Sequence, residues 1–234
     1  MHYLYLMKIT VVAATRMELQ LLIDHFGAVP FENSRVWTAQ EGQLHFLVTG
    51  MGMMQTATHL AIYALQENRD LYIDAGIAGA FNRDIPTGAV LNVVSETYGD
   101  FGVEDGEEFR DFFEMGFIDR HEDAFEYGLL RPYGTLWQHE VLQDLQQVSS
   151  LTVNKVHGKE ETIAMIMSRY RADIENMEGL AFFNVLHELK KESIQIRSIS
   201  NYVERRNKDN WDIRLAISNL SDQLKAIIQS FLAD

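Results

Sequence analysis

Short apolar runs rich in β-branched residues alternate with longer stretches of helical periodicity along almost the whole chain, and this alternation constrains the fold most. Such runs are typical of buried strands, and strands separated by helices favour a largely parallel sheet covered on both faces. The sequence therefore predicts one α/β domain over residues 1–234. The predicted strands lie at 8–14, 36–40, 44–50, 71–76, 89–95, 150–156, 172–176 and 194–200. The predicted helices lie at 16–26, 53–67, 159–170 and 178–191. A last helix, from about Asp209, is predicted to place Trp211, Leu215, Leu220, Leu224, Ile227, Ile228 and Phe231 at helical spacing.

The charge balance argues against several classes of partner. With 34 acidic and 20 basic residues, the formal net charge is −14, which disfavours binding to nucleic acid and to anionic membranes. The chain has no cysteine, so disulfides and thiol catalysis are excluded, in keeping with a cytoplasmic location. The apolar N-terminal stretch is interrupted by Lys8 and lacks a basic leader, so we expect neither a membrane span nor a signal peptide.

The sequence contains no convincing metal or cofactor motif. The eight histidines lack the i,i+4 and H-E-x-x-H spacings of metal sites. The glycine pair of TGMG (49–52) lacks the third glycine of the dinucleotide fingerprint. We therefore expect no cofactor and no metal.

Residues 99–134 break the alternation, because they mix acidic, aromatic and glycine residues without a clear period. A long irregular segment inside a compact domain is usually a functional loop, and we expect this one to cover a substrate. A mobile acidic surface loop explains the composition equally well.

Three polar residues follow or end predicted strands. Glu18 completes a capping box, TRME, with Thr15, and Glu178 lies in the first turn of a helix, so capping alone would explain both. Asn201 follows another strand. Because ligands collect at the carboxyl edge of parallel strands, convergence of the three side chains there predicts a binding site.

Several segments together resemble, in order and spacing, the purine nucleoside phosphorylase and nucleosidase superfamily. They are KITVVAATRMELQLL (8–22), TGMG (49–52), DAGIAGAF (74–81), ENMEG (175–179) and RSISNYVE (197–204). Within the superfamily the chain is most similar to futalosine hydrolases, through LTVNKVHG (151–158) and SISNYVERRN (198–207), and next to methylthioadenosine/S-adenosylhomocysteine nucleosidases. The resemblance implies a nucleoside phosphorylase-like domain around a mixed, partly closed, twisted sheet covered by helices. It also implies a homo-oligomer, a dimer or larger.

The resemblance also implies site residues. Glu18 would position and deprotonate the attacking water, and Asn201 would engage the N7 edge of the purine. The substrate-binding residues implied are Glu178 at the ribose hydroxyls, Met177 beneath the sugar, Arg197 in support of the ribose site, and Gly79, Val153 and Val156 around the base.

Asn201 stands where an adenine-directed relative has an aspartate, and this difference bears on the substrate. A carboxamide can donate to the O6 of a 6-oxopurine and accept from N7–H, whereas a protonated aspartate suits a 6-aminopurine. The amide therefore favours a 6-oxopurine, and the resemblance to futalosine hydrolases then implies hydrolysis of futalosine, with release of hypoxanthine and dehypoxanthinyl futalosine in menaquinone biosynthesis.

Water is the expected nucleophile, because related phosphorylases carry a phosphate-binding arginine in the segment aligned with DAGIAGAF and this chain has none there. Two alternatives remain open. One is a nucleosidase for methylthioadenosine, S-adenosylhomocysteine or aminofutalosine. The other is a purine nucleoside sensor without turnover.

Overall fold

The computed structural model describes residues 7–31, 35–106 and 108–233. Their strands are β1 Ile9–Ala13, β2 Val29–Phe31, β3 Val36–Ala39, β4 Leu44–Val48, β5 Leu71–Ala80, β6 Val90–Tyr98, β7 Gly102–Asp105, β8 Glu108–Asp111, β9 Phe125–Glu126, β10 Leu129–Leu130, β11 Gln146–Thr152, β12 Ile174–Asn176 and β13 Glu192–Tyr202. The α-helices are α1 Arg16–His25, α2 Met53–Gln66, α3 Glu160–Arg169, α4 Gly179–Leu189 and α5 Ile213–Ala233. None of these helices combines the length and the apolar character needed to cross a membrane.

The centre of the large sheet consists of two parallel sets of strands, and β2, β3, β9 and β10 extend it by antiparallel pairing. β4, β1, β5 and β13 form one set, and β6, β11 and β12 form the other. Antiparallel pairing of β12 with β5, and of β13 with β6, joins the two sets into a closed circuit. The prediction of a mixed, partly closed sheet in an α/β fold is therefore confirmed.

Helices cover the sheet on both faces, which explains why its central strands are largely buried. The residues of β5 from Leu71 to Gly76 are all buried. The apolar faces of α1 and α5 pack on one side of the sheet, and those of α2 and α4 pack on the other. Both faces of the central strands are thus removed from water, as in other covered parallel sheets.

The structure corrects three predicted boundaries. β5 continues to Ala80 instead of ending at residue 76, because β12 and β13 pair with its last residues. β11 ends at Thr152 instead of residue 156, since the N–H groups of Asn154 and Lys155 donate to Asp100 and not to a strand. Trp211 lies outside the last helix, which begins at Ile213.

The segment 99–134 contains more regular structure than its sequence suggests. β7 and β8 form a separate antiparallel hairpin, and β10 joins the large sheet at β6. The residues Gly99, Asp100 and Glu104 line a groove of about 660 Å³ against α3. Covering of a substrate by 99–134 stays a prediction.

Candidate active site

One cavity of about 330 Å³ brings most of the predicted site residues together. It is lined by the segment after β1 and by residues of β5, β12 and β13. The predicted residues that line it are Glu18, Gly79, Val153, Val156, Met177, Glu178 and Asn201. Arg197 is not among the lining residues, but it is buried beside the cavity, with its Nη1 4.0 Å from Glu178 Oε2.

Glu18 reaches the cavity from the first turn of α1. The backbone N–H and the hydroxyl of Thr15 both donate to Glu18 Oε2, at 2.9 and 2.7 Å. Glu18 Oε1 accepts from the N–H of Ile77 at 3.2 Å. The predicted capping box is confirmed, and the same carboxylate that closes the helix start also faces the cavity.

The environment of Glu18 makes its carboxylate a better base. Burial raises the pKa of Glu18, although the hydrogen bond from Thr15 and the charge of Arg197 oppose this, and the nearby charge of Glu178 raises the pKa further. A general base works best when its pKa lies near the working pH, so the raised pKa suits removal of a proton from water.

Arg197 is the positive centre of a buried cluster of carboxylates. Its Nη2 donates to Asp74 Oδ2, and also to Asn176 Oδ1 at 3.4 Å. Burial alone would lower the pKa of Arg197, but the surrounding carboxylates, Asp74 foremost, reverse this and leave the pKa raised. Burial raises the pKa of Asp74 to about 7 despite the arginine.

Glu178 is held at the cavity by contacts on both sides. The N–H of Gly52 donates to Glu178 Oε1 at 2.9 Å, which ties the TGMG turn to the site. Asn176 Oδ1 accepts from the N–H groups of Glu178 and Gly179, at 2.9 and 2.7 Å, and so fixes the start of α4. Asn176 is fixed in turn, because its Nδ2 donates to the buried Glu96 Oε1 at 2.6 Å.

Asn201, Gly79 and Glu175 form a row across three neighbouring strands. Gly79 of β5 pairs with Asn201 of β13 on one side and with Glu175 of β12 on the other. A β-bulge between Ile199 and Asn201 sets this register. Residues opposite one another in a sheet share a face, so the side chains of Asn201 and Glu175 lie on either side of Gly79. Because glycine has no side chain, the space between them stays open.

The carboxamide of Asn201 has a fixed orientation. Its Oδ1 accepts from the hydroxyl of Ser200 at 2.7 Å, and its Nδ2 donates to the carbonyl of Tyr202 at 2.9 Å. One N–H and one lone pair of the amide stay available to a ligand.

Sequence reasoning missed Glu175, His157, Arg206 and Trp211. Glu175 lines the cavity, and its carboxylate is paired with buried His157. The guanidinium of Arg206 lies 5.7 Å from the ring centroid of Trp211, and both residues line the cavity. Strand alternation gave a signal for Glu175, because neighbouring residues of a strand point to opposite faces and Asn176 turns inward to Glu96.

The geometry fits chemistry on a substrate whose developing charge is positive. Glu18 and Glu178 place two carboxylates at the cavity, whereas Arg197 is already paired with Asp74 and faces Glu178. Within residues 7–31, 35–106 and 108–233, no group of three or more histidine, aspartate or glutamate side chains is arranged to hold a metal ion.

Comparisons with known proteins identify a family and relatives of this chain. The model of the phosphorylase superfamily matches residues 8–233. The futalosine hydrolase of Thermus thermophilus is 27% identical over 183 residues, which are 78% of this chain and 80% of that protein.

Solved structures share the fold at low sequence identity. The 5′-methylthioadenosine/S-adenosylhomocysteine nucleosidase of Neisseria meningitidis has a TM-score of 0.79 at 18% identity, covering 96% of this chain and 100% of that one. The futalosine hydrolase of Helicobacter pylori has a TM-score of 0.79 at 16% identity, covering 96% of this chain and 98% of that one.

Proposed function

Because the chain belongs to the phosphorylase superfamily, we propose that it is a purine nucleosidase that hydrolyses the N-ribosidic bond of futalosine. The products would be hypoxanthine and dehypoxanthinyl futalosine, as expected for menaquinone biosynthesis. The observation that carries the proposal is that Glu18, Glu178 and Asn201, which lie far apart in sequence, line one cavity. The curated relative named futalosine hydrolase supports the choice of substrate.

Glu18 is proposed as the base that activates water. Its Oε2 is occupied by two donors from Thr15, so Oε1, with the single bond from Ile77, keeps a lone pair for a water molecule. The bond from Ile77 also fixes the direction in which this oxygen points. The attacking water would lose its proton to Glu18 as it bonds to C1′.

Glu178 is proposed to stabilise the sugar. Breaking the ribosidic bond gives an oxocarbenium-like state, and an ionised carboxylate at the ribose hydroxyls favours positive charge on the ring. The N–H of Gly52 donates to one oxygen of Glu178 and Arg197 lies 4.0 Å from the other, so the carboxylate is held in place at the cavity. Met177, which also lines the cavity, would pack beneath the sugar.

Asn201 is proposed to read the base. Since the carbonyl of Tyr202 accepts from one Nδ2–H, the amide nitrogen can give its other hydrogen to a keto oxygen at purine position 6. The remaining lone pair of Oδ1 can accept from N7–H. Gly79, Val153 and Val156 would leave a flat apolar slot for the rings.

Water fits the site better than phosphate does. A phosphate dianion between Glu18 and Glu178 would need a cation beside it. Arg197 is engaged by Asp74 and lies beside Glu178. Arg206, which also lines the cavity, lies over the ring of Trp211. Burying that charge unpaired would be costly. A cytoplasmic homo-oligomer remains the expected form of the enzyme.

The test is chromatography of the base released from futalosine, inosine and methylthioadenosine, each with and without phosphate. We expect hypoxanthine from futalosine at a rate that phosphate does not change. Faster release of adenine from methylthioadenosine would replace the proposal with the adenine-directed alternative. Tight nucleoside binding without release of any base would favour a sensor.

A further inference from the structure

The departing purine needs a proton that Asn201 cannot supply. When the bond between C1′ and N9 breaks, its electron pair stays on the base, and protonation of a ring nitrogen makes the base a far better leaving group. A carboxamide has no proton to release near neutral pH. Some other group at the same edge of the base must therefore deliver it.

Glu175 lies in the right place to do so. Glu175 of β12 and Asn201 of β13 pair with Gly79 of β5 from opposite sides, and Glu175 lines the cavity. A methyl group placed on Gly79 would be 3.3 Å from Asn201 Nδ2 and 3.7 Å from Glu175 Cγ. A purine lying over Gly79 would thus meet the amide and the carboxyl group together.

Two contacts join Glu175 to His157. The backbone N–H of His157 donates to Glu175 Oε1 at 3.2 Å, and His157 Nδ1 lies 2.7 Å from Glu175 Oε2. Both side chains are almost completely buried, at 3% and 4% exposure. A proton on either of these two atoms would bridge Nδ1 and Oε2 across the 2.7 Å contact.

The pair connects two openings of the protein. Glu175 lines the cavity of about 330 Å³, whereas His157 lines the groove of about 660 Å³ against α3. The charged residues that line the groove with His157 are Asp100, Glu104, Glu108, Lys155, Lys159 and Glu161. Those that line the cavity with Glu175 are Glu18, Glu178 and Arg206.

We propose that His157 and Glu175 form a proton relay from the groove to the departing base, an inference that rests on the nucleosidase function proposed above. A proton on His157 Nδ1 moves to Glu175 Oε2, and Glu175 passes that same proton to a purine nitrogen, N7 being conjugated with the breaking bond. His157 regains a proton from groove water. Glu18 takes one proton from the attacking water and later returns it to solvent, so each turnover balances.

The test compares two leaving groups. p-Nitrophenyl β-D-ribofuranoside releases nitrophenolate, which needs no proton, whereas inosine releases a purine, which does. Glu175→Gln should lower kcat/KM for inosine about a hundredfold and leave the nitrophenyl riboside within about threefold of wild type, because general acid catalysis is lost for only one substrate. Glu18→Gln is the matched control and should lower both.

His157→Asn separates relay from positioning. Asparagine can keep a donor to Glu175 from the place of Nδ1, but it cannot titrate. In wild type, kcat/KM for inosine should fall at high pH as the pair loses its proton, while the low-pH limb from Glu18 persists. His157→Asn and Glu175→Gln should both lack the high-pH limb. This measurement uses inosine alone and therefore decides the question whatever the rate on the nitrophenyl riboside.

The outcomes are distinct. Equal losses on both substrates, with an unchanged pH profile, would mean that the pair is only structural and would overturn the relay. A wild-type protein that releases adenine in place of hypoxanthine would overturn the proposed substrate, and the relay would then be tested on adenosine by the same comparison. A wild-type protein that cleaves no nucleoside would overturn both.

Discussion

Gly79→Ala should obstruct the surface between Asn201 and Glu175 where we propose that the purine binds, and the protein should still fold. Gly79 lies between Asn201 and Glu175 in the row across β13, β5 and β12. An added Cβ would lie 3.0 Å from Val203 Cγ2 and 3.3 Å from Asn201 Nδ2. It would therefore stand on the surface where we place the purine rings.

The expected magnitudes follow from these distances. Carbon atoms in contact normally lie about 3.5–4.0 Å apart, so Val203 must move by several tenths of an ångström, at a cost of about 1–2 kcal/mol. For a domain of this size that corresponds to a fall in Tm of about 2–8 °C. The methyl group would displace the base by about 1 Å, which is worth about a hundredfold in rate.

The assay is kcat/KM from chromatography of released hypoxanthine, together with thermal unfolding. Gly158→Ala is a matched control, because a Cβ there would meet nothing closer than 3.6 Å. It should keep nearly wild-type kcat/KM and Tm. A Gly79→Ala protein that is folded and as active as Gly158→Ala would refute the placement of the base over Gly79.

Further predictions concern three buried polar groups. Glu18→Gln should keep nucleoside binding by calorimetry but lower kcat by about a hundredfold or more, and near-normal turnover would remove Glu18 from the mechanism. Asn201→Asp should raise kcat/KM for methylthioadenosine relative to inosine by about tenfold, the worth of one hydrogen bond, and an unchanged ratio would contradict the role in reading the base. Burial raises the pKa of Asp74 to about 7 from its ordinary value of 3.8, so between these pH values the folded chain holds a proton there that the unfolded chain releases. Stability contributed by that proton is complete below pH 3.8 and is lost as the pH rises to about 7. The free energy of unfolding from urea titrations should therefore fall less over this window in Asp74→Asn, and parallel slopes would mean that the ion pair with Arg197 keeps the pKa of Asp74 from rising.

Local patterns predicted most of the strands and helices because they depend on nearby residues. The capping box of Thr15 and Glu18 is one such pattern, and the structure contains both of its contacts. The hairpin of β3 and β4 follows likewise from two apolar runs separated by a short turn at Glu41 and Gly42.

The glycines of DAGIAGAF show where local reasoning failed. The sequence predicted a strand that ends at residue 76, yet β5 continues through these glycines to Ala80. A Cβ on Gly76 would lie 2.0 Å from Arg197 Nη1, so this glycine makes room for a buried arginine that comes from the distant strand β13. No local signal records such a long-range contact.

The remaining site residues could not be predicted because their pairing depends on the topology. His157 and Glu175 meet only because β12 runs antiparallel to β5 and parallel to β11, whose following loop carries the histidine. Trp211 was assigned to a helix face by its spacing, but it precedes α5 and lines the cavity. In both cases the sequence showed the residue itself, Glu175 or Trp211, but not the distant residues that it meets in the fold.

Asn201, near the end of β13, stands where an adenine-directed relative has an aspartate. This difference affects more than the contact that the side chain itself makes with the base. An amide at Asn201 can select a keto base, but it removes the proton source that an aspartate would have supplied at the same place. The register that places Asn201 opposite Gly79 also places Glu175 there, from the other side. Recognition and protonation of the base can therefore be divided between two strands, and they should respond separately to Asn201→Asp and Glu175→Gln.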